Sequence, residues 1–108
     1  MKVIVQGKSL EITRSLRSFV LKQAEKLQRL NIDVSKVRVY LEHVARKNSD
    51  PKRALAKFHI DFPGKRIVVK RKAVDLYDAI VDAANSVSRQ ARRFKEKRIK
   101  KQRTKIFH

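Results

Sequence analysis

The 108-residue sequence predicts an α+β fold. The expected architecture is a two-layer β-α-β-β-β-α sandwich, a four-stranded sheet with two helices on one face. Three observations predict it. Apolar residues recur at three- and four-residue spacing in two segments, the mark of amphipathic helices. Three consecutive segments between them alternate apolar and polar residues, the period of half-buried strands. Hydrophobic residues make up 42 % of the chain, enough for a modest core, and only two Gly and two Pro leave room for long regular elements.

The first strand is expected over Lys2 to Gln6, a short β-branched run ended by Gly7. Thr13 then precedes the first helix as N-cap, because its hydroxyl accepts a bond from a free N–H of the first turn. Leu16, Phe19, Val20, Ala24, Leu27 and Leu30 form the apolar stripe, and Arg14, Arg17, Lys22, Glu25, Lys26 and Arg29 take the other sides. In the second strand Val37, Val39 and Leu41 alternate with Arg38, Tyr40 and Glu42. A loop follows at "KNSDPK", where Asn, Ser, Asp and Pro favour a turn. The third strand sets Ala56, Phe58, Ile60 and Phe62 against Lys57, His59 and Asp61. "PG" at 63 and 64 is a turn, and the fourth strand places Ile67 and Val69 opposite Arg66, Val68 and Lys70.

The second helix is expected to start at Asp75 as N-cap, with Asp78 complementing the positive end of the helix. Its stripe is Tyr77, Ile80, Ala84, Val87, Ala91 and Phe94, and helix-favouring residues run on to about Gln102. Leu16, Val20, Leu27, Ile80, Val87 and Phe94 are the expected core. Continued past Phe94, the stripe lands on Arg98 and Lys101, so the segment there is expected to leave the body. One domain over 1–102 and a basic tail over 103–108 follow from this reading.

Charge gives the first functional indication. Lys and Arg number 29 against 10 acids, a net +19, and the last twenty residues hold ten of the cations and one acid, Glu96. Such an excess repels itself and favours a polyanionic partner. Without cysteine, disulfide and thiolate chemistry are excluded. "MKVIVQGKSL" is too short in apolar residues for a signal peptide, and no stretch nears the roughly 20 apolar residues of a membrane span, so a cytoplasmic protein is expected.

The sequence offers no catalytic constellation, and an enzyme is not expected. His43, His59 and His108 lack paired metal-ligand spacing, no Gly-rich phosphate loop exists, and Asp75, Asp78 and Asp82 are explained by capping and dipole complementation. No metal, cofactor or small-molecule substrate is expected. The signal lies in the basic helix flanks. Lys22, Lys26 and Arg29 share one side of the first helix. Arg89, Arg93 and Lys100 share a side of the second, with Arg92 and Lys97 beside them. Cations so placed track phosphates without reading sequence. Ordinary solvated helices mix charge signs, and the second helix has one acid after residue 88. A competing surface is the open sheet face, where Tyr40, His59 and Lys57 are positioned to meet unpaired bases. Only one true aromatic points there, and the Phe residues sit at core parity.

Two stretches, "VQGKSLEITRSLRSFVLKQAEKLQRL" and "VDLYDAIVDAANSVSRQARRFKEK", resemble the ribosome hibernation promoting factor family, also called ribosome-associated translation inhibitors or sigma-54 modulation proteins. The first shows Gly7, "EIT", "LRSFV" and "EKL" in order. The second shows the Asp-hydrophobic-Tyr-x-Ala-Ile opening and an Arg-Gln followed by basic residues. The resemblance spans nearly the whole chain. It implies a fold like double-stranded-RNA-binding domains and a place on the small ribosomal subunit, over the tRNA and messenger sites, held by ribosomal RNA. It also implies RNA contacts at Arg17, Lys26, Arg89, Arg93, Lys95 and Lys97.

With the flank residues, the expected RNA-facing set is Arg17, Lys22, Lys26, Arg29, Arg89, Arg92, Arg93, Lys95, Lys97, Lys100 and Lys101. Lys100, Lys101, Arg103 and Lys105 are expected to order on RNA. The chain departs from the family at Val81 and Asn85, where acids are usual, and at Ser86, where Lys is usual. It reads as a short form, monomeric off the ribosome, with a basic tail where some short forms carry an acidic one. The alternatives are a general double-stranded-RNA or tRNA-binding module, a structural ribosomal protein, and a membrane-surface protein; the last lacks a long apolar face after Phe94.

Overall fold

The computed structural model describes residues 1–30, 32–44 and 51–106, with side chains through residue 97. The elements are β1 (Lys2–Lys8), α1 (Arg14–Gln28), β2 (Lys36–His43), β3 (Ala54–Phe62), β4 (Lys65–Ala73) and α2 (Leu76–Ile106). Most of the loop read at "KNSDPK" lies outside the described residues.

The sheet order is β1-β2-β3-β4. β2, β3 and β4 pair antiparallel, whereas β1 pairs parallel to β2, so the sheet is mixed. The parallel pair follows from chain geometry: a strand joined to its neighbour through a helix returns to run the same way. The β3–β4 hairpin turns on Pro63 and Gly64. Pro pre-sets the first central φ, and Gly64 supplies the positive φ of 78° that a type II turn requires. Gly7 answers a different need. A Cβ there would stand 2.7 Å from the Leu10 carbonyl oxygen, where the chain folds back after β1.

Strand parity is as expected: Val37, Val39, Leu41, Ala56, Phe58, Ile60, Ile67 and Val69 are buried on one face. Both helices close over that face in one core. α1 lies against β1 and α2, and α2 against β3 and β4. Thr13 caps α1, its Oγ1 accepting from the Leu16 N–H at 3.1 Å. Asp75 caps α2 in the same way through the Asp78 N–H at 2.9 Å.

Three details correct the sequence reading. Tyr77 is 43 % exposed rather than part of the buried stripe; Leu76 and Ala79 take the inner positions. The Tyr77 ring instead meets Phe19 edge-on at 5.0 Å, bridging the two helices. Phe94 is half-buried, set against Phe62 at 5.6 Å with Lys65 over its ring, so it closes the rim of the core. α2 is helical to Ile106, past Gln102, because Lys, Arg and Gln sustain a helix without burial and no Gly or Pro interrupts them.

Candidate nucleic-acid interface

β1 and β4 run in the same direction, and each is followed by a helix that doubles back over the sheet. α1 and α2 therefore run side by side in parallel. Two contacts fix their pairing: Phe19 against Tyr77, and the Lys95 Nζ donating to the Leu30 carbonyl at 2.6 Å. Both C-terminal ends point the same way. The negative end of each helix dipole favours cations there, by about 0.3–1 kcal/mol for each in the last turn.

Lys22, Lys26 and Arg29 are all exposed. At about 100° per residue they form a stripe next to the side of α1 that meets α2, the side of Phe19 and Leu30. Lys26 is steadied by the Gln23 side-chain oxygen at 2.8 Å, and Gln23 is itself nearly buried. On α2, Tyr77 and Lys95 mark the side facing α1. Arg92 comes next around the helix, then Arg89 and Arg93, then Lys97, and all four are exposed. The structure thus brings Lys22, Lys26 and Arg29 together with Arg92 along the two banks of the interhelical groove. Arg89, Arg93 and Lys97 continue the same surface outward.

Two members of the expected set stand apart. Arg17 is exposed on the far side of α1, across the core stripe from Lys22, Lys26 and Arg29. Lys95 is half-buried, and its ammonium donates to the Leu30 carbonyl and closes the end of α1. The side chains of Lys100 and Lys101, like those of Arg103 and Lys105, lie outside the described residues.

The sequence reading missed one polar contact. Ser86 is buried, and its Oγ accepts from the Arg71 guanidinium at 3.0 Å, tying β4 to α2. A serine inside an apolar helix face is the signal that points to it. Val81 is half-buried and Asn85 exposed, so neither adds negative charge to the outer face of α2.

Three other titratable groups are shifted by their surroundings. The Asp75 carboxylate beside Asp78 raises the Asp78 pKa above its ordinary value, as expected of a crowded N-terminal cap. Asp61 accepts from Arg66 at 2.6 Å, and that bond holds its carboxyl below the usual range. Burial, then the nearby Lys57 and Arg38, push His59 below 6.5. Among the described residues no three His or acidic side chains group to hold a metal, and no helix is long and apolar enough to cross a membrane.

The fold has counterparts among known proteins. Residues 3–99 match the family model described as sigma 54 modulation protein / S30EA ribosomal protein. Among solved structures, the chain is similar to the N-terminal domain of Protein Y from Thermus thermophilus: 31 % identity, a TM-score of 0.75, 87 % of this chain and 99 % of that one covered. It also shares its fold with a ribosomal subunit interface protein from Coxiella burnetii, at 17 % identity and a TM-score of 0.71, covering 89 % of this chain and 99 % of that one. No curated protein sequence matches the chain.

Proposed function

The chain belongs to the sigma 54 modulation protein / S30EA ribosomal protein family, and on that premise we propose that it is a non-enzymatic ribosome hibernation factor. It binds the small ribosomal subunit over the tRNA and messenger sites, through ribosomal RNA phosphates, and inhibits translation by occupying them. It acts in the cytoplasm, where ribosomes work, and its mechanism needs no cofactor.

The observation that supports this reading is the paired basic bank. Lys22, Lys26 and Arg29 on α1 and Arg89, Arg92, Arg93 and Lys97 on α2 are exposed side by side on one rigid pair of helices. Cations on the sides of two parallel helices meet phosphates at helix spacing, which suits the backbone of folded RNA. The Phe19–Tyr77 and Lys95–Leu30 contacts hold the two helices together along α1, which supports action as a wedge.

The test is co-sedimentation with empty small subunits, with and without tRNA and messenger. Binding that is lost when the tRNA sites are filled is the expected result. Binding indifferent to tRNA overturns the assignment to those sites. An Arg89→Glu/Arg93→Glu variant should lose binding while keeping its thermal stability. With about six phosphate contacts, affinity should fall on the order of a thousandfold between roughly 50 and 200 mM salt. Full competition by bulk tRNA would favour a general RNA-binding module instead.

A further inference from the structure

We propose that the open face of the sheet is a second nucleic-acid surface, which takes an unpaired RNA segment with one base against Tyr40 and its phosphate between Lys57 and Lys70. The inference goes beyond the helix-flank reading, since it concerns the opposite side of the molecule and a different form of RNA.

Strand register builds the site. Gln6 lies opposite Tyr40, Tyr40 opposite Lys57, and Lys57 opposite Lys70. Each strand thus contributes one residue to a single row on the face away from the helices. The row borders a shallow depression of about 610 Å³, whose lining includes Leu41, Leu55 and Glu42. Its chemistry combines an aromatic ring, the apolar Leu55, the Gln6 amide, the Glu42 carboxylate and the ammonium groups of Lys8, Lys57 and Lys70.

The charge on this face is not self-compensating. Asp61 is held by Arg66 at 2.6 Å and Arg38 at 3.8 Å, and Glu42 by Lys8 at 3.7 Å. Lys57 and Lys70 have no carboxylate partner among the described residues, yet they face each other directly across the β3–β4 ladder. Like charges so placed destabilise a sheet. Folding gains nothing from this pair, and an anion seated between the two removes the repulsion.

Tyr40 is braced for stacking. His59 meets its ring edge-on at 5.4 Å, and both His59 ring nitrogens are buried without a hydrogen-bond partner. Burial and the neighbouring cations favour the neutral imidazole, so His59 supports the tyrosine as an uncharged ring. One tyrosine beside a pair of cations fits a single strand with a base unstacked. A duplex hides its base faces and cannot use the tyrosine.

The test is NMR titration of the full chain with an eight-nucleotide oligouridine and, separately, with a twelve-base-pair RNA duplex. The oligouridine should shift the amides of Tyr40, Lys57 and Lys70, while the duplex acts on α1 and α2. Tyr40→Ala and Lys57→Gln should each weaken oligouridine binding by about tenfold and leave duplex affinity within about twofold. Lys57→Gln is a half-exposed change that keeps the fold testable should Tyr40→Ala destabilise the sheet. Oligouridine shifts confined to the helices overturn the proposal, as does unchanged affinity in Lys57→Gln. A polyglutamate peptide that matches the oligouridine at the same amides also overturns it, by assigning the face to acidic protein segments. Loss of small-subunit binding in the sedimentation test would leave this result untouched, so the two readings fail separately.

Discussion

Lys95 shows how a cation in a basic run can be engaged by the fold itself. The sequence places it in a basic run and family resemblance places it on RNA, but its Nζ closes the carbonyl of Leu30, 65 residues earlier in the chain. That bond positions the end of α1, and with it Lys26 and Arg29, against α2. Lys95→Met keeps the aliphatic stem and removes the donor. It should cost on the order of 1 kcal/mol, seen as a lower midpoint in urea unfolding, and weaken small-subunit binding in parallel. If affinity fell with stability unchanged, Lys95 would be a direct phosphate contact instead. A sequence displays its charges, but the carbonyl that engages one of them comes from elsewhere in the fold. For the same reason Ser86 could be read as a departure from the family but not as the acceptor for Arg71. The outward flank residues were legible because helical spacing alone sets their direction.

At the scale of elements, strand parity was legible because β2, β3 and β4 each bury one alternating set, Leu55 of β3 apart, and a shift by one residue would expose Phe58 or Ile60. The cap of α1 was legible too, since a threonine directly before an amphipathic run satisfies a free N–H through its own hydroxyl. Thr13→Ala should lower stability by about 1 kcal/mol, measurable as a drop in Tm, with the basic flank of α1 intact. The place of β1 was not legible. A short apolar strand can join either edge of a sheet, and only the path of α1 over the surface selects β2 and a parallel pairing. The end of α2 was misjudged for a related reason: the core stripe stops near Phe94, but the backbone needs no core to stay helical. Tyr77 obeys the spacing of the stripe and still faces outward, because Leu76 fills the inner position.

Across the whole molecule, extents of 57 × 29 × 19 Å describe a slab drawn out along α2. Acids gather where α2 begins, at Asp75, Asp78 and Asp82, and cations where both helices end. Net charge was readable from composition and the open sheet face from strand parity, but the pairing of Lys57 with Lys70 was not, because the two become neighbours only through strand register. The parallel seam between β1 and β2 has a consequence for the order of assembly. β2, β3 and β4 join through successive hairpins and can zip from local turns, whereas β1 must wait until α1 has formed and laid its partner alongside, as Lys2 meets Lys36 only across that entire helix. β1 should therefore dock last and detach first. Hydrogen exchange under native conditions should show its amides opening ahead of those in β3, and equal protection of the two strands would mean instead that the domain comes apart as one unit.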